Sequence, residues 1–236
     1  LNILSALMSW ELDARIVQFI SGDPAPVLSY QVSTLLAVPL FHATGSHAVM
    51  LMSYRNQRKS VSMYRWDVVE AMHLIESEQI SSFVAPAAMT GDLLNASVDT
   101  EIDLSSLLTV GGGGAPRAPE QVKNIAGKVA NALPNTGWGM TETNAIGTGI
   151  GGLDYVEHPS SSGRVSALLD LRVVDEEGIE LGNGKRGELQ VRGVSIIQGY
   201  WERPEANAQA FDGEWLRTGD VAFIDEGGYL YIVDRI

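Results

Sequence analysis

Apolar residues recur at helical spacing over residues 2–19, where Ile3, Leu4, Leu7, Met8, Leu12, Ile16 and Phe19 form a stripe behind Asn2 as cap, so a helix is expected there. Residues 31–39 form a short apolar run ahead of PLFHATG and read as a buried strand; 46–54 reads as helical. Over 66–78, Val68, Val69, Met72 and Ile75 lie on one side with charges opposite, the pattern of an amphipathic helix. A strand is expected at 80–85, a helix opened by Pro86 and running to 95, a strand at 107–110 entering four glycines, and a helix at 119–131. Strands separated by such helices argue for a parallel sheet with helical crossovers.

After about residue 152 the texture changes. Segments 168–174, 187–192 and 228–233 alternate or run apolar over short lengths, divided by the turn signals Glu177-Gly178, Asn183-Gly184, Asp212-Gly213 and Glu226-Gly227-Gly228. The expected organisation is therefore an α/β portion at 1–152 and a β-rich, antiparallel portion at 153–236. Many of the 25 glycines are accounted for by these turns.

Composition narrows the function. The net charge is −13, and Lys and Arg are outnumbered by Asp and Glu in both halves, so the basic footprint of nucleic-acid binding is missing. At 45% hydrophobic and 19% charged, the chain is that of a packed globular protein. With no cysteine, disulfides, thiolate metal sites and cysteine nucleophiles are excluded, and a reducing, cytoplasmic setting is expected. The uncharged stretch between Asp23 and Arg55 is broken by Pro26, Gln31, Pro39, His42 and Gly45 and does not read as a membrane span. The opening LNILSALMSWELDAR has no basic n-region and no small-residue cleavage site, so it does not read as a secretory signal, and without an initiator Met the chain reads as part of something longer.

Familiar signatures fail on context. GTGIGG at 147–152 matches GxGxxG formally, with Asp170 near the place of a ribose-binding acid, but the following LDYVEHPSSSG does not read as the helix that fingerprint needs. GxSxG and HExxH do not occur, and His42, His47, His73 and His158 show no metal-ligand spacing. The glycine run lacks the GK[ST] ending of a Walker loop.

What remains is an ordered set: VPLFHATG at 38–45, VGGGGAP at 110–116, NTGWGMTET at 135–143, GELQVRG at 187–193, WLRTGD at 215–220 and GGYLYIVDR at 227–235. In order and spacing this set resembles the adenylate-forming superfamily of acyl-CoA synthetases, luciferases and peptide-synthetase adenylation domains. The resemblance implies an incomplete parallel-sheet α/β layer followed by a small antiparallel β-barrel-like subdomain ending beside a hinge. It implies a parent enzyme that activates a carboxylic acid with ATP and Mg²⁺ as an acyl-adenylate and passes it to CoA. PLFHATG and GGGGAP lean toward fatty- or aryl-acid CoA ligases.

The resemblance also implies roles. Glu142 matches the magnesium-binding glutamate, a hard carboxylate of the kind Mg²⁺ prefers. Thr141 would donate to an α-phosphate oxygen. Gly113, Gly114, Ala115 and Pro116 match the adenine-side wall, where glycine lets backbone lie flat against a planar ring, and Trp138 matches the aromatic facing it. Asp220 matches the acceptor of the ribose hydroxyls and Arg235 a second ribose contact. His42 matches a gate near the acyl pocket and thiol tunnel, and Thr44, Gly113 and Met140 would line that pocket. Without the flanking motifs, Thr141, Glu142 and Thr143 read as a helix cap, Asp220 as an Asx-turn and Arg235 as a surface ion pair.

Departures matter too. The Ser/Thr/Gly-rich phosphate loop of the family is not in the sequence, Leu1-Asn2-Ile3 resembling the segment shortly after it, and the sequence stops at Ile236, beside the hinge at which the family's lysine-bearing C-terminal domain is expected. Lys59, Lys123, Lys128 and Lys185 occupy no matching motif. The chain by itself is therefore expected to be inactive while its parent is an enzyme, and apolar surface exposed by truncation would invite self-association. The alternative is a non-catalytic module that keeps the fold for ligand sensing or protein contacts.

Overall fold

The computed structural model describes residues 2–21, 28–113, 117–129 and 131–236. Of the expected adenine wall, Gly114, Ala115 and Pro116 lie outside the described residues. The chain groups into two compact units, one of Leu1–Val17, Trp138–Gly149 and Ser161–Ile236, the other of Gln18–Gly137 and Ile150–Ser160. This interleaved grouping differs from the single change of texture at 152/153. Its cause is long-range bonding: in helix α1 (Asn2–Ser21), the Asp13 carboxylate accepts from the Ala167 N–H at 3.1 Å and from the Ser166 hydroxyl, and Ala6 packs with Ile146, Leu169 and Val191. Of the stripe expected on α1, Leu7 is buried, whereas Ile3, Leu4, Met8, Leu12 and Ile16 are exposed.

The second unit is the α/β layer. Strand β1 (Ser33–Leu36) leads to a π-helix (Thr44–Leu51), α2 (Met52–Arg55), β2 (Lys59–Ser62), α3 (Val68–Glu78), β3 (Ser82–Val84), α4 (Ala87–Ala96), β4 (Thr109–Gly111), α5 (Pro119–Lys128) and β5 (Leu133–Thr136). The strands run parallel in the order β2-β1-β3-β4-β5. β1 is buried along its whole length, so its polar residues need partners: Ser33 and Ser81 exchange bonds through their backbones and hydroxyls at 2.8–3.1 Å. Asp67 caps α3 by accepting from the Val69 and Glu70 N–H groups, both at 3.0 Å, and the left-handed Gln79 stops it. Ala71, Met72 and Ile75 of α3 join Leu35, Phe83, Leu93 and Val110 in the core, while Val69, expected beside them, is exposed. Strand β6 (Thr148–Gly151) pairs antiparallel with β5 through Ile150 and Gly151, and α6 (Gly152–Glu157) follows.

That last pair corrects the reading of GTGIGG. A helix does follow, but it has six residues and starts at Gly152 directly from the strand that holds Gly149 and Gly151, so the strand–turn–helix cradle of a dinucleotide site is not formed. Asp170 is engaged elsewhere, in an ion pair with Arg192 at 2.8 Å.

The first unit is β-rich as expected. Thr148 and Gly149 pair with β7 (Arg164–Val165). An antiparallel sheet then forms from β8 (Leu169–Val174), β9 (Gly187–Gly193), β10 (Phe211–Asp212), β11 (Trp215–Ile224) and β12 (Leu230–Arg235), in the order β10-β11-β9-β8 with β12 also on β11. Gly178, Gly184, Gly213 and Gly228 all take positive φ at the expected turns. A short helix, α7 (Pro204–Ala210), interrupts the strands with Pro204 in its first turn. Leu169, Val191 and Leu216 form one apolar cluster of this unit; Val173, Leu189, Ala222 and Leu230 form another.

Candidate functional site

In the β-rich unit, Asp220 is placed by an irregularity in β11. Arg217 pairs with Gln190 and Val221 with Glu188, so residues 218–220 bulge from the ladder, with Gly219 at φ +71°. Only glycine takes that conformation without cost, and it re-aims the following side chain. The Thr218 hydroxyl staples the bulge, donating to the Leu189 carbonyl at 2.7 Å and accepting from the Asp220 N–H at 3.1 Å. The Asp220 carboxylate accepts from the Trp138 indole N–H at 2.7 Å, and the Arg235 guanidinium stands 3.8 Å away across the β11–β12 pair. Arg235 is largely exposed, so this pair contributes little to stability. Three residues from separate motifs, Trp138, Asp220 and Arg235, are thus brought together.

Trp138 was expected only as a stacking face. It also packs against both apolar clusters, and its ring lies so close over Gly147 that a Cβ there would sit 2.4 Å from Cε3. The bond to Asp220 fixes the rotation of the indole. One buried edge, a fixed N–H and an anchored carboxylate make a rigid platform.

Glu142 sits on a single 3₁₀ turn, Thr141–Thr143. The turn is sealed by Thr143, whose buried hydroxyl accepts from the Met140 N–H and donates to its carbonyl, both at 3.0 Å. The capping alternative therefore belongs to Thr143; the Glu142 carboxylate instead accepts from the Tyr200 hydroxyl at 2.9 Å, and Thr141 is exposed. Asn144 and Ala145 follow with φ of 55° and 65°. A left-handed alanine costs about 1–2 kcal/mol, and this one is held by its N–H bond to the Met140 carbonyl at 3.0 Å while Asn144 donates to the Ser195 carbonyl at 2.7 Å. Burial first, then the bond to Glu142 and its charge, hold the Tyr200 phenol above its ordinary pKa, so it remains a donor. Tyr200 was not singled out in the sequence; its signal was the GYW that follows GELQVRG, 58 residues from Glu142 and without periodic relation to it.

In the α/β unit, Thr44 starts the π-helix, a geometry frequent at functional sites. A Cβ on Gly113 would lie 3.5 Å from the Thr44 hydroxyl, so these two expected pocket residues are neighbours. Gly45 is required beneath them, since a Cβ would meet the Pro39 carbonyl oxygen at 2.5 Å. His42 is exposed, its ring 4.7 Å from that of the exposed Phe41. Met140 belongs to the other unit.

Arg117, not foreseen as special, is 7% exposed, and its three guanidinium nitrogens have no hydrogen-bond partner among the described residues. It packs where a Gly112 Cβ would be, 2.6 Å from one terminal nitrogen, and burial pushes its pKa down. Tyr155, buried in the same unit, is pushed up by its own burial against the opposing pull of Arg117. A buried guanidinium without a partner among the described residues is costly, so Arg117→Met is expected to raise stability by about 1–4 kcal/mol, read as a higher midpoint in urea. An unchanged or lower midpoint means that the Arg117 guanidinium stabilises the fold.

Residues 2–201 match the family described as AMP-binding enzyme. A 4-coumarate-CoA ligase 1 from Narcissus pseudonarcissus is 33% identical over 235 residues, covering 95% of this chain and 42% of that protein. The peroxisomal OPC-8:0-CoA ligase 1 of Arabidopsis thaliana is 32% identical over 208 residues, covering 86% and 38%. The N-terminal domain of FACL13 from Mycobacterium tuberculosis has the same fold, with a TM-score of 0.84 at 28% identity, covering 99% of this chain and 55% of that one. The chain thus spans about two fifths of the length of the curated relatives it matches.

Proposed function

The chain belongs to the AMP-binding enzyme family, and from that premise we propose that it is part of an ATP-dependent ligase that joins a fatty or aryl carboxylic acid to CoA through an acyl-adenylate. The observation that carries the reading is the anchored Asp220 carboxylate, bonded to the Trp138 indole and beside Arg235, in the same compact unit as the Glu142 carboxylate on its strained turn. A purely structural module has no need for two such carboxylates, which argues against a scaffold kept only for protein contacts.

Each residue then has a task. Asp220 accepts from ribose hydroxyls and Arg235 contacts the sugar edge; Trp138 offers the base a π face, and the glycine-rich motif of Gly113, Gly114, Ala115 and Pro116 is assigned to adenine by its resemblance. Thr141 donates to an α-phosphate oxygen. In the α/β unit, the neighbouring Thr44 and Gly113 are assigned to the acyl pocket and His42 to its gate; Met140 is assigned to the pocket by its motif alone. Among the described residues no three His, Asp or Glu cluster into a metal cage. Magnesium does not need one, being held by one or two carboxylates plus substrate phosphates, and Glu142 fits that habit. Bound there, the ion offsets phosphate charge. In the reaction a carboxylate oxygen of the acid bonds to the α-phosphorus as the bond to pyrophosphate breaks. The CoA sulfur then attacks the acyl carbon and AMP leaves.

Among the described residues no helix is long and apolar enough to cross a membrane. The cysteine-free composition suits a cytoplasmic setting, and the exposed stripe of α1 is the candidate surface for self-association of the isolated chain. The test is acid-dependent ATP–pyrophosphate exchange by the full-length protein over acids from acetate to aromatic and long-chain. Magnesium-dependent exchange with at least one aryl or fatty acid is expected; none across the panel contradicts the reading.

A further inference from the structure

The segment 195–200 is fastened to the turn that carries Glu142 at three points. The Ile197 N–H donates to the Glu142 carbonyl at 2.9 Å, the Ser195 carbonyl accepts from the Asn144 amide at 2.7 Å, and the Tyr200 hydroxyl donates to Glu142 Oε1 at 2.9 Å. Tyr200 is itself clamped: its N–H donates to Asn207 Oδ1 at 2.6 Å, and the Asn207 amide donates back to its carbonyl at 3.0 Å. Gly199, at φ +147°, leaves room for that asparagine, since a Cβ would lie 3.0–3.1 Å from its amide atoms. The clamp starts on α7, holds the backbone of Tyr200 and ends on a carboxylate oxygen.

A glutamate on an isolated 3₁₀ turn has free rotamers, and fixing one costs conformational entropy. A phenol held by its own backbone clamp removes that freedom by occupying one oxygen and leaving the other for a cation, the arrangement by which outer groups orient metal ligands. We propose that Tyr200 is the positioning residue of the Glu142 carboxylate, setting it for a divalent cation bound with the nucleotide. The proposal rests on the reading of Glu142 as the metal ligand. A bland hydrogen bond at a half-open surface is the competing account.

The two readings separate in calorimetric titrations of the full-length protein with a non-hydrolysable ATP analogue, with and without Mg²⁺, and with AMP alone. In the wild type, Mg²⁺ is expected to tighten analogue binding. Tyr200→Phe should cut that magnesium-dependent gain about 10-fold while AMP affinity stays within about twofold, and Glu142→Gln should abolish the gain. The magnesium concentration for half-maximal exchange should rise by a similar factor in Tyr200→Phe, with the rate recovered at saturating Mg²⁺. If Glu142→Gln keeps the gain, the metal reading fails and the proposal with it. If Glu142→Gln loses the gain but Tyr200→Phe keeps it, or loses AMP affinity equally, Tyr200 does not position the carboxylate and only this proposal is overturned.

Discussion

Glu142→Gln is expected to slow acid-dependent ATP–pyrophosphate exchange of the full-length protein by at least about 100-fold, because a charged group aimed at phosphate-bound metal is lost where its field counts most. Folding should barely change. The Glu142 side chain bonds Tyr200 on a half-exposed turn, and a glutamine oxygen accepts the same hydroxyl. The loss should fall on the rate at saturating acid and ATP, and excess Mg²⁺ should recover only part of it. Exchange at the wild-type rate would return Glu142 to a structural part in the turn.

The second large effect is expected at Asp220. Asp220→Ala removes an anionic acceptor for the ribose hydroxyls and orphans the Trp138 indole N–H now bonded to it at 2.7 Å. Hydrogen bonds to charged groups contribute about 1.5–3 kcal/mol each, so losing two weakens AMP binding by about 100-fold or more. Asp220→Asn keeps an oxygen for the indole and should fall between. Trp138→Phe keeps a π face but gives up the N–H, and should cost less than Asp220→Ala. The measurement is calorimetric titration with AMP; equal affinity of Asp220→Ala and wild type would place the ribose elsewhere.

The fold was legible where local signals agreed. Asp67 ahead of Val68, Met72 and Ile75 announced α3, and Pro86 and Pro119 announced α4 and α5. Strand β5 was hidden because Pro134 argues against a central strand; the ladder tolerates it by using the Leu133 N–H and the Asn135 carbonyl. Strand β11 does not show as a strand in the sequence, since Gly219 interrupts its pattern at the bulge that aims Asp220. Helix α7 has a readable Pro at its start and helix-forming Glu, Ala and Gln, but with seven residues and none of them buried it shows no apolar stripe to set it off from the short strands around it. The interleaving of the two units depends on contacts such as Asp13 with Ala167, which no periodicity encodes.

The site divides the same way. Chemically distinctive residues in ordered motifs, Trp138, Glu142 and Asp220, are candidates that the sequence alone puts forward. Residues that act on them, Tyr200, Asn207 and Thr218, are not, because a tyrosine, an asparagine and a threonine gain meaning only from the atoms they touch. Arg117 likewise sits in no pattern that announces its burial.

The central claim, activation of an acid at the α-phosphate of ATP, is tested most directly with acid labelled by ¹⁸O in both carboxylate oxygens. The full-length protein, ATP, Mg²⁺ and CoA are incubated with the labelled acid, and the nucleotide product is weighed by mass spectrometry. Attack at the α-phosphorus followed by thiol attack on the acyl carbon leaves one acid-derived oxygen in AMP, so AMP carrying a single ¹⁸O is the predicted result. Label appearing in phosphate with ADP as the product, or thioester formed with unlabelled AMP, would contradict it.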